Sequence, residues 1–111
     1  MELFIIGYGL GGGFGGIQNY EVVEAKDLNE ASTLSYEKAC EEFEQYAGSY
    51  GLRTVEDIME EEGYEEEEAE QEFNEERESW LDYTSVLYSK EEEEKVSGYH
   101  YENRYSHLTD K

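Results

Sequence analysis

The sequence predicts an α+β fold, with a small antiparallel sheet of about three strands and two to three helices packed on it. Two strand-like segments flank a glycine-rich stretch near the N-terminus, two helix-capping signals follow, and a further strand-like segment comes after them, in the order ββααβ. At 111 residues the chain is long enough for one modest core. We therefore expect a single α+β domain at residues 1–89, followed by an acidic loop and a tyrosine-rich C-terminal tail at residues 90–111.

Three segments have the composition of strands. Glu2–Leu10 (ELFIIGYGL) is rich in Leu, Phe and Ile, which predicts a buried strand, and Ile17–Ala25 (IQNYEVVEA) alternates with β-branched residues, which predicts a second. The six residues between them, Gly11–Gly16, predict a flexible hairpin loop with Phe14 exposed at its tip. Asp82–Ser89 (DYTSVLYS) predicts the third strand.

The first helix is predicted over residues 28–48. Asp27 followed by Glu30 is a capping-box variant at its start, and Gly48 or Gly51 is the expected stop. Its apolar face is predicted to carry residues that recur at spacings of three and four: Tyr36, Cys40, Phe43, Ala47 and Tyr50.

Two more helices are predicted. Thr54 and Asp57 repeat the capping pattern, which predicts a short helix that ends at Gly63. The segment Glu65–Trp80 (EEEEAEQEFNEERESW) predicts a third helix with its acidic residues on the open faces. Its buried stripe is predicted to consist of Ala69, Phe73, Arg77 and Trp80.

The glycine-rich segment matches G-x-G-x-x-G twice, at Gly7, Gly9 and Gly12 and again at Gly11, Gly13 and Gly16. A dinucleotide fingerprint opens a helix whose N-terminus receives the pyrophosphate, whereas here a strand is predicted to follow. We therefore expect no phosphate site. Two interpretations of the loop stay open: a close approach of its backbone to a neighbouring element, or a mobile finger that presents Phe14 to a partner.

Other chemistries lack the residues that they need. Cys40 is the single cysteine, which excludes an internal disulfide framework and a multi-cysteine zinc site, and it is predicted to be a core residue. His100 and His107 lie seven residues apart in the tail, without a set of Cys or Asp residues at ligand spacing. No apolar run is long enough to span a membrane, and the N-terminus lacks the basic segment of a signal peptide. We predict a cytoplasmic, non-enzymatic protein with no cofactor and no metal.

Negative charge is the strongest functional signal. The chain has 30 acidic residues against eight Lys and Arg, for a net charge of −22, which excludes a nucleic-acid binder that uses basic contacts. Residues 56–78 hold fourteen acids and one base, Arg77, so ion pairing is predicted to be scarce. As a helix, Glu65–Asp82 would be about 27 Å long and would carry ten acids. The spacing of these charges along the helix axis approaches that of a nucleic-acid strand. Because such self-repulsion costs stability, it favours a functional role.

In size, acidity and glutamate clustering at residues 56–78, the chain resembles the DNA-mimic inhibitors of phages and plasmids, which block restriction enzymes or CRISPR effectors. The resemblance implies an inhibitor that occupies the basic nucleic-acid groove of such a defence protein in the host bacterial cytoplasm. Binding would combine electrostatic steering with a few anchoring side chains. The residues predicted to contact the partner are Glu61, Glu62, Glu65, Glu66, Glu68, Glu72, Glu75, Glu76 and Phe14. Of the acids, four are predicted to form one side of the third helix, opposite its buried stripe: Glu65, Glu68, Glu72 and Glu76.

Two other functions stay open. One is an acidic adaptor or chaperone-like module that shields a basic partner, such as a nucleoid or ribosomal protein. The other is a protein that sequesters a small molecule or nucleotide with the glycine loop, which the negative charge disfavours. The oligomeric state is open as well, and a dimer is one of the states that the sequence allows.

Overall fold

A four-stranded β-sheet forms the centre of the computed structural model, which describes residues 1–109. Its strands are β1 (Glu2–Leu10), β2 (Gly16–Ala25), β3 (Leu81–Leu87) and β4 (His100–Glu102), in the order β3-β1-β2-β4. β1 pairs antiparallel with β2 and with β3, whereas β4 pairs parallel with β2. The α+β class is confirmed. The sheet has one strand more than predicted and is mixed instead of antiparallel.

Five α-helices lie in the described part of the chain: α1 (Leu28–Tyr46), α2 (Val55–Glu62), α3 (Glu66–Trp80), α4 (Lys90–Val96) and α5 (Ser106–Thr109). Both predicted caps are present. The Asp27 carboxylate accepts the Glu30 N–H at 2.9 Å, and Thr54 forms a complete capping box with Asp57. The Glu30 carboxylate accepts the N–H of Lys26, one residue before the cap, whereas in a full capping box it would accept the N–H of the cap residue itself.

β1 is buried on both faces, which explains its continuous apolar run. Alternate side chains of a strand point to opposite faces. Phe4 and Ile6 therefore face α1, where they pack with Ala31. Ile5 points to the opposite face, whose cover includes Val96 of α4. These three strand residues are at most 4% exposed.

The buried face of α1 differs from the predicted one. Its fully buried residues recur every four positions and are Ala31, Ser35, Ala39 and Phe43. Of the predicted face only Phe43 is among them, while Tyr36 and Cys40 lie half-buried at the flank and Tyr50 is 79% exposed. The reason is physical: small Ala and Ser side chains let the helix approach the sheet closely, and the bulky tyrosines pack beside the contact.

The predicted acidic loop at residue 90 is wrong, because Lys90–Val96 form α4. The Ser89 hydroxyl caps this helix by accepting the Glu92 N–H at 3.1 Å, and Lys95 pairs with Glu92 at 3.2 Å. Part of the predicted tail is ordered as β4, although Asp110 and Lys111 at its end lie outside the described residues.

The Glu93 carboxylate of α4 holds the C-terminal segment. It accepts hydrogen bonds from the hydroxyls of Tyr101, at 2.6 Å, and Tyr88, at 3.0 Å, and from the Asn103 amide at 3.3 Å. These bonds, led by that from Tyr101, lower the pKa of Glu93 below its usual value. The residues after β3 are thus fastened to the sheet by one ionised side chain.

Candidate interaction surface

Helices α2 and α3 pack on each other as a helical hairpin, residues 55–80, which we call the acidic hairpin. Gly63 ends α2 with φ of 71°, in the left-handed region that glycine adopts without strain, and this reverses the chain. Ile58 and Ala69, both 0% exposed, are the buried side chains of the two helices. The base of the hairpin is anchored on α1 by Phe73, whose ring centroid lies 5.4 Å from that of Phe43. With this hairpin the molecule measures 58 × 27 × 18 Å.

Arg53 clamps the two helices together. Its guanidinium donates to Glu61 at 3.0 Å and Glu62 at 3.2 Å on α2, and to Glu76 at 2.6 Å on α3. These bonds, of which the one to Glu76 has the largest effect, raise the pKa of Arg53 further above its usual range. The prediction that Arg77 alone could pair with this acidic block is therefore wrong, since a base just before the α2 cap joins three of its acids.

A second link ties α3 to α1. The Tyr36 hydroxyl donates a hydrogen bond to the Glu78 carboxylate, and this bond, with a smaller contribution from burial, raises the pKa of Tyr36 to about 12. Glu78 also lies 3.9 Å from Arg77. Tyr36 and Glu78 therefore fix the C-terminal half of α3 against the body of the protein.

The predicted contact acids fall into three groups. Glu61, Glu62 and Glu76 are engaged by Arg53. Glu65 is the N-cap of α3 without a side-chain capping bond, and Glu66 is exposed in its first turn. The third group lines a shallow groove with Tyr64 and Gln71 and consists of Glu68, Glu72 and Glu75. Their spacing of four and three residues places these three on one side of α3.

The prediction that Glu76 lies opposite the buried stripe is wrong. It follows Ala69 by seven residues, close to two turns, so both lie on nearly the same side of the helix. From that position Glu76 reaches Arg53 in the interhelical groove. The row of carboxylates on the side away from the buried stripe is better described by Glu68, Glu72 and Glu75.

The charge spacing on α3 is close to that of a nucleic-acid strand. The helix has 15 residues and is about 22 Å long at about 1.5 Å per residue. Of its eight acids, Glu76 and Glu78 are in ion pairs. Six have no ion pair within residues 1–109: Glu66, Glu67, Glu68, Glu70, Glu72 and Glu75. They give one charge per about 3.7 Å, against about 3.4 Å for one DNA strand.

The glycine-rich loop folds onto its own chain. This agrees with the interpretation that its backbone closely approaches a neighbouring element. Gly12–Phe14 form one 3₁₀ turn, and a Cβ on Gly12 would lie 2.9 Å from the Trp80 ring. The Gly11 N–H donates to the Trp80 carbonyl at 2.9 Å. Phe14 is half-buried, so the expectation that it is exposed at the tip is wrong. Its contact with a partner stays a prediction.

Two features of this region escaped the sequence analysis. Arg53 could have been found, since it is the one base within ten residues of the first acids of the block. Tyr46, which packs on Phe14 at a centroid distance of 5.6 Å, gave no signal beyond its helical position.

No helix within residues 1–109 is long and apolar enough to cross a membrane. In the same part of the chain, no group of three or more His, Cys, Asp and Glu side chains is arranged to hold a metal ion.

Comparison with known proteins gives no match: no family model, no curated protein and no solved structure matches the chain. The resemblance to DNA-mimic inhibitors stays a hypothesis.

Proposed function

We propose that this protein is a non-enzymatic inhibitor that places its acidic hairpin in the basic nucleic-acid groove of a DNA-binding protein. The observation that carries the proposal is the set of six carboxylates on α3 without an ion pair, at about the axial charge spacing of a DNA strand. A restriction enzyme or a CRISPR nuclease in the bacterial cytoplasm is the expected partner class.

The rigid attachment of the charged helix α3 to the rest of the protein supports the proposal. Arg53 joins α2 to α3, and Tyr36 joins α3 to α1, so the acids are held on a braced element. A braced array loses less conformational entropy on binding than a mobile acidic tail does. The acids outnumber the bases by 22, and this excess steers a basic partner toward the surface.

A second function is favoured by a different observation. Acidic side chains also occupy exposed positions on α1 and α4, among them Glu37, Glu44, Glu91 and Glu94. Charge on several elements suits an acidic adaptor that shields a basic partner without entering its groove. The two functions differ in whether the acidic hairpin is required.

The test compares three forms of the protein as bait in a bacterial lysate. One is the unaltered chain, and the second carries Glu68→Gln, Glu72→Gln and Glu75→Gln on α3. The third is a charge-matched control with Glu37→Gln, Glu44→Gln and Glu91→Gln, which are exposed acids outside the acidic hairpin. Captured proteins are quantified by mass spectrometry.

The proposal predicts a DNA-binding protein that the unaltered chain and the control capture alike. Capture by the α3 variant should fall by about tenfold or more, since several partly desolvated charges at about 1 kcal/mol or less each are lost. Equal capture by all three forms would favour the adaptor. Loss of capture by both variants would show that total charge matters and its position does not.

A further inference from the structure

An aromatic cavity of about 430 Å³ lies beside the base of the acidic hairpin. Its lining comes from the glycine-rich turn, from α1 and the residues after it, and from the end of α3: Gly13, Phe14, Tyr46, Tyr50 and Trp80. This volume is within the range of about 300–1,000 Å³ that is typical of ligand pockets. Four of its five lining residues are aromatic.

Phe14 joins the walls of the cavity. Its ring stands nearly perpendicular to those of Tyr50, at 81°, and Trp80, at 89°, with centroid distances of 6.1 and 5.7 Å. Tyr46 and Tyr50 form one wall, with centroids 5.8 Å apart. Within residues 1–109 no ring contact joins Trp80 to either tyrosine, so the space opens between them. Rings set at such angles form the cage that recognises cations in proteins.

Tyr50 is held in this wall at a cost. It is the one residue other than glycine with positive φ in the described chain, at 54°, and it is 79% exposed. An L-residue in this left-handed region is strained, and the turn closed by the Leu52 N–H on the Ser49 carbonyl at 2.9 Å holds Tyr50 there. Packing in the core does not account for the exposed ring, whereas a ligand seated in the cavity would cover it.

The charge around the cavity selects the sign of the ligand. Glu42 lines the adjoining cavity together with Phe14 and Tyr46. The unpaired acids of α3 lie on the same helix that ends at Trp80. With a net charge of −22 on the chain, the surroundings favour a cation over an anion, while the walls offer π-faces.

We propose that this cavity takes the guanidinium group of an arginine from a basic partner protein. Arginine fits better than lysine because its guanidinium is planar, is weakly hydrated and stacks on aromatic rings. The inference rests on the proposed function for the nature of the partner. It adds an anchoring contact to that function: the acidic hairpin attracts the partner protein, and the aromatic cavity binds one of its arginine side chains.

Trp80 is the single tryptophan of the chain and lines this cavity, so its fluorescence should respond to a ligand there. The probe is N-acetyl-arginine amide, titrated at constant ionic strength. Its comparison is N-acetyl-citrulline amide, which has nearly the same shape but no charge. We expect a saturable change in Trp80 emission with the arginine probe and a response at least about fivefold weaker with the citrulline probe.

Tyr50→Asn removes one wall while keeping a residue that tolerates positive φ. We expect this substitution to lower the affinity for the arginine probe about threefold to fivefold. Tyr99→Asn, a control at an exposed tyrosine that does not line the cavity, should leave the response unchanged. Far-ultraviolet circular dichroism verifies that both variants fold, and Phe14→Leu, which keeps the apolar volume, gives a second test of the cage.

Three results would overturn the inference. The first is an equal response to the two probes, and the second is an equal effect of Tyr50→Asn and Tyr99→Asn. The third is a Trp80 spectrum that changes with protein concentration alone, which would assign the cavity to a second copy of the chain. The outcome is independent of the capture experiment. If the α3 variant captures partners normally while the arginine probe binds as expected, the groove proposal fails and the cavity stands.

Discussion

Replacing Gly7 with alanine tests the packing of the sheet. Gly7 lies in the middle of β1 opposite Tyr20 of β2, and it is buried. A Cβ at this position would lie 2.5 Å from Tyr20 Cε1, 2.8 Å from Tyr20 Cδ1 and 2.9 Å from Ile17 Cγ2. The Tyr20 ring cannot move aside freely, because it packs against Tyr99 at a centroid distance of 5.3 Å.

The magnitude follows from two opposing effects. Alanine in a strand interior gains roughly 0.5–1 kcal/mol over glycine because it has less conformational entropy to lose. Overpacking a filled site costs typically about 1–3 kcal/mol. We therefore expect Gly7→Ala to lower the free energy of unfolding by about 0.5–2 kcal/mol.

A double-mutant cycle with Tyr20→Ala isolates the ring contact. In that background the two nearest ring atoms are gone and Ile17 Cγ2 remains at 2.9 Å, so Gly7→Ala should cost clearly less, with a coupling energy of about 0.5–2 kcal/mol. Urea denaturation measures all four forms. Gly13→Ala is the matched control, since a Cβ there would meet nothing within 4 Å. A Gly7→Ala variant that is as stable as the parent protein, or a cost that is the same in both backgrounds, would refute the placement of Tyr20 over Gly7.

Three further predictions concern charge. Because acids exceed bases by 22, the melting temperature should rise as NaCl goes from about 50 to 500 mM, where the Debye length falls below about 10 Å; a flat or falling melting temperature contradicts this. The hydrogen bond to Glu78 raises the pKa of Tyr36 to about 12, so its neutral form is favoured by folding. The stability that this hydrogen bond contributes is complete below about pH 10, which is the pKa of the tyrosine in the unfolded chain. It is lost between about pH 10 and the pKa of Tyr36 in the folded protein. Burial also raises the pKa of Tyr8, Tyr20 and Tyr101, so absorbance at 295 nm should lose the amplitude of one high-pKa tyrosine in Tyr36→Phe, and an unchanged titration contradicts the assignment. Glu93 has a lowered pKa, so its contribution is present above the usual value of 4.5 and is lost as the pH falls through the folded pKa. Glu93→Gln should therefore speed amide exchange in β4 at pH 7, with little effect on β1, and equal protection of β4 in both proteins contradicts that role.

The elements that the sequence predicted correctly are those with strong local signals. β1 and β2 have apolar or β-branched runs, and α2 has a capping box at one end and Gly63 at the other. The exact face of α1 could not be predicted, because the tyrosines at one spacing and the alanines at another both gave helical periodicity. The sheet selects the smaller side chains, and this is a tertiary effect.

The C-terminal residues show the same limit. A run of four glutamates between two lysines reads as a solvated loop, but a Ser89 cap and the bonds to Glu93 stabilise it as α4. β4 has only three residues, and it is defined by its pairing with β2, which no local pattern encodes. For the site, composition located the acidic hairpin, while the long reach of Arg53 to Glu76, across 23 residues of sequence, needed the structure.

The most direct test of the proposed groove binding is competition with DNA for the protein that the chain captures. A fluorescently labelled duplex is bound to that protein, and its anisotropy is followed as the unaltered chain or the variant with Glu68→Gln, Glu72→Gln and Glu75→Gln is added. We predict that the unaltered chain releases the duplex completely at a stoichiometric ratio. The variant should release it only at an about tenfold higher concentration, or not at all. A ternary complex, in which the anisotropy stays high while the chain is bound, would contradict the claim that the acidic hairpin takes the place of DNA.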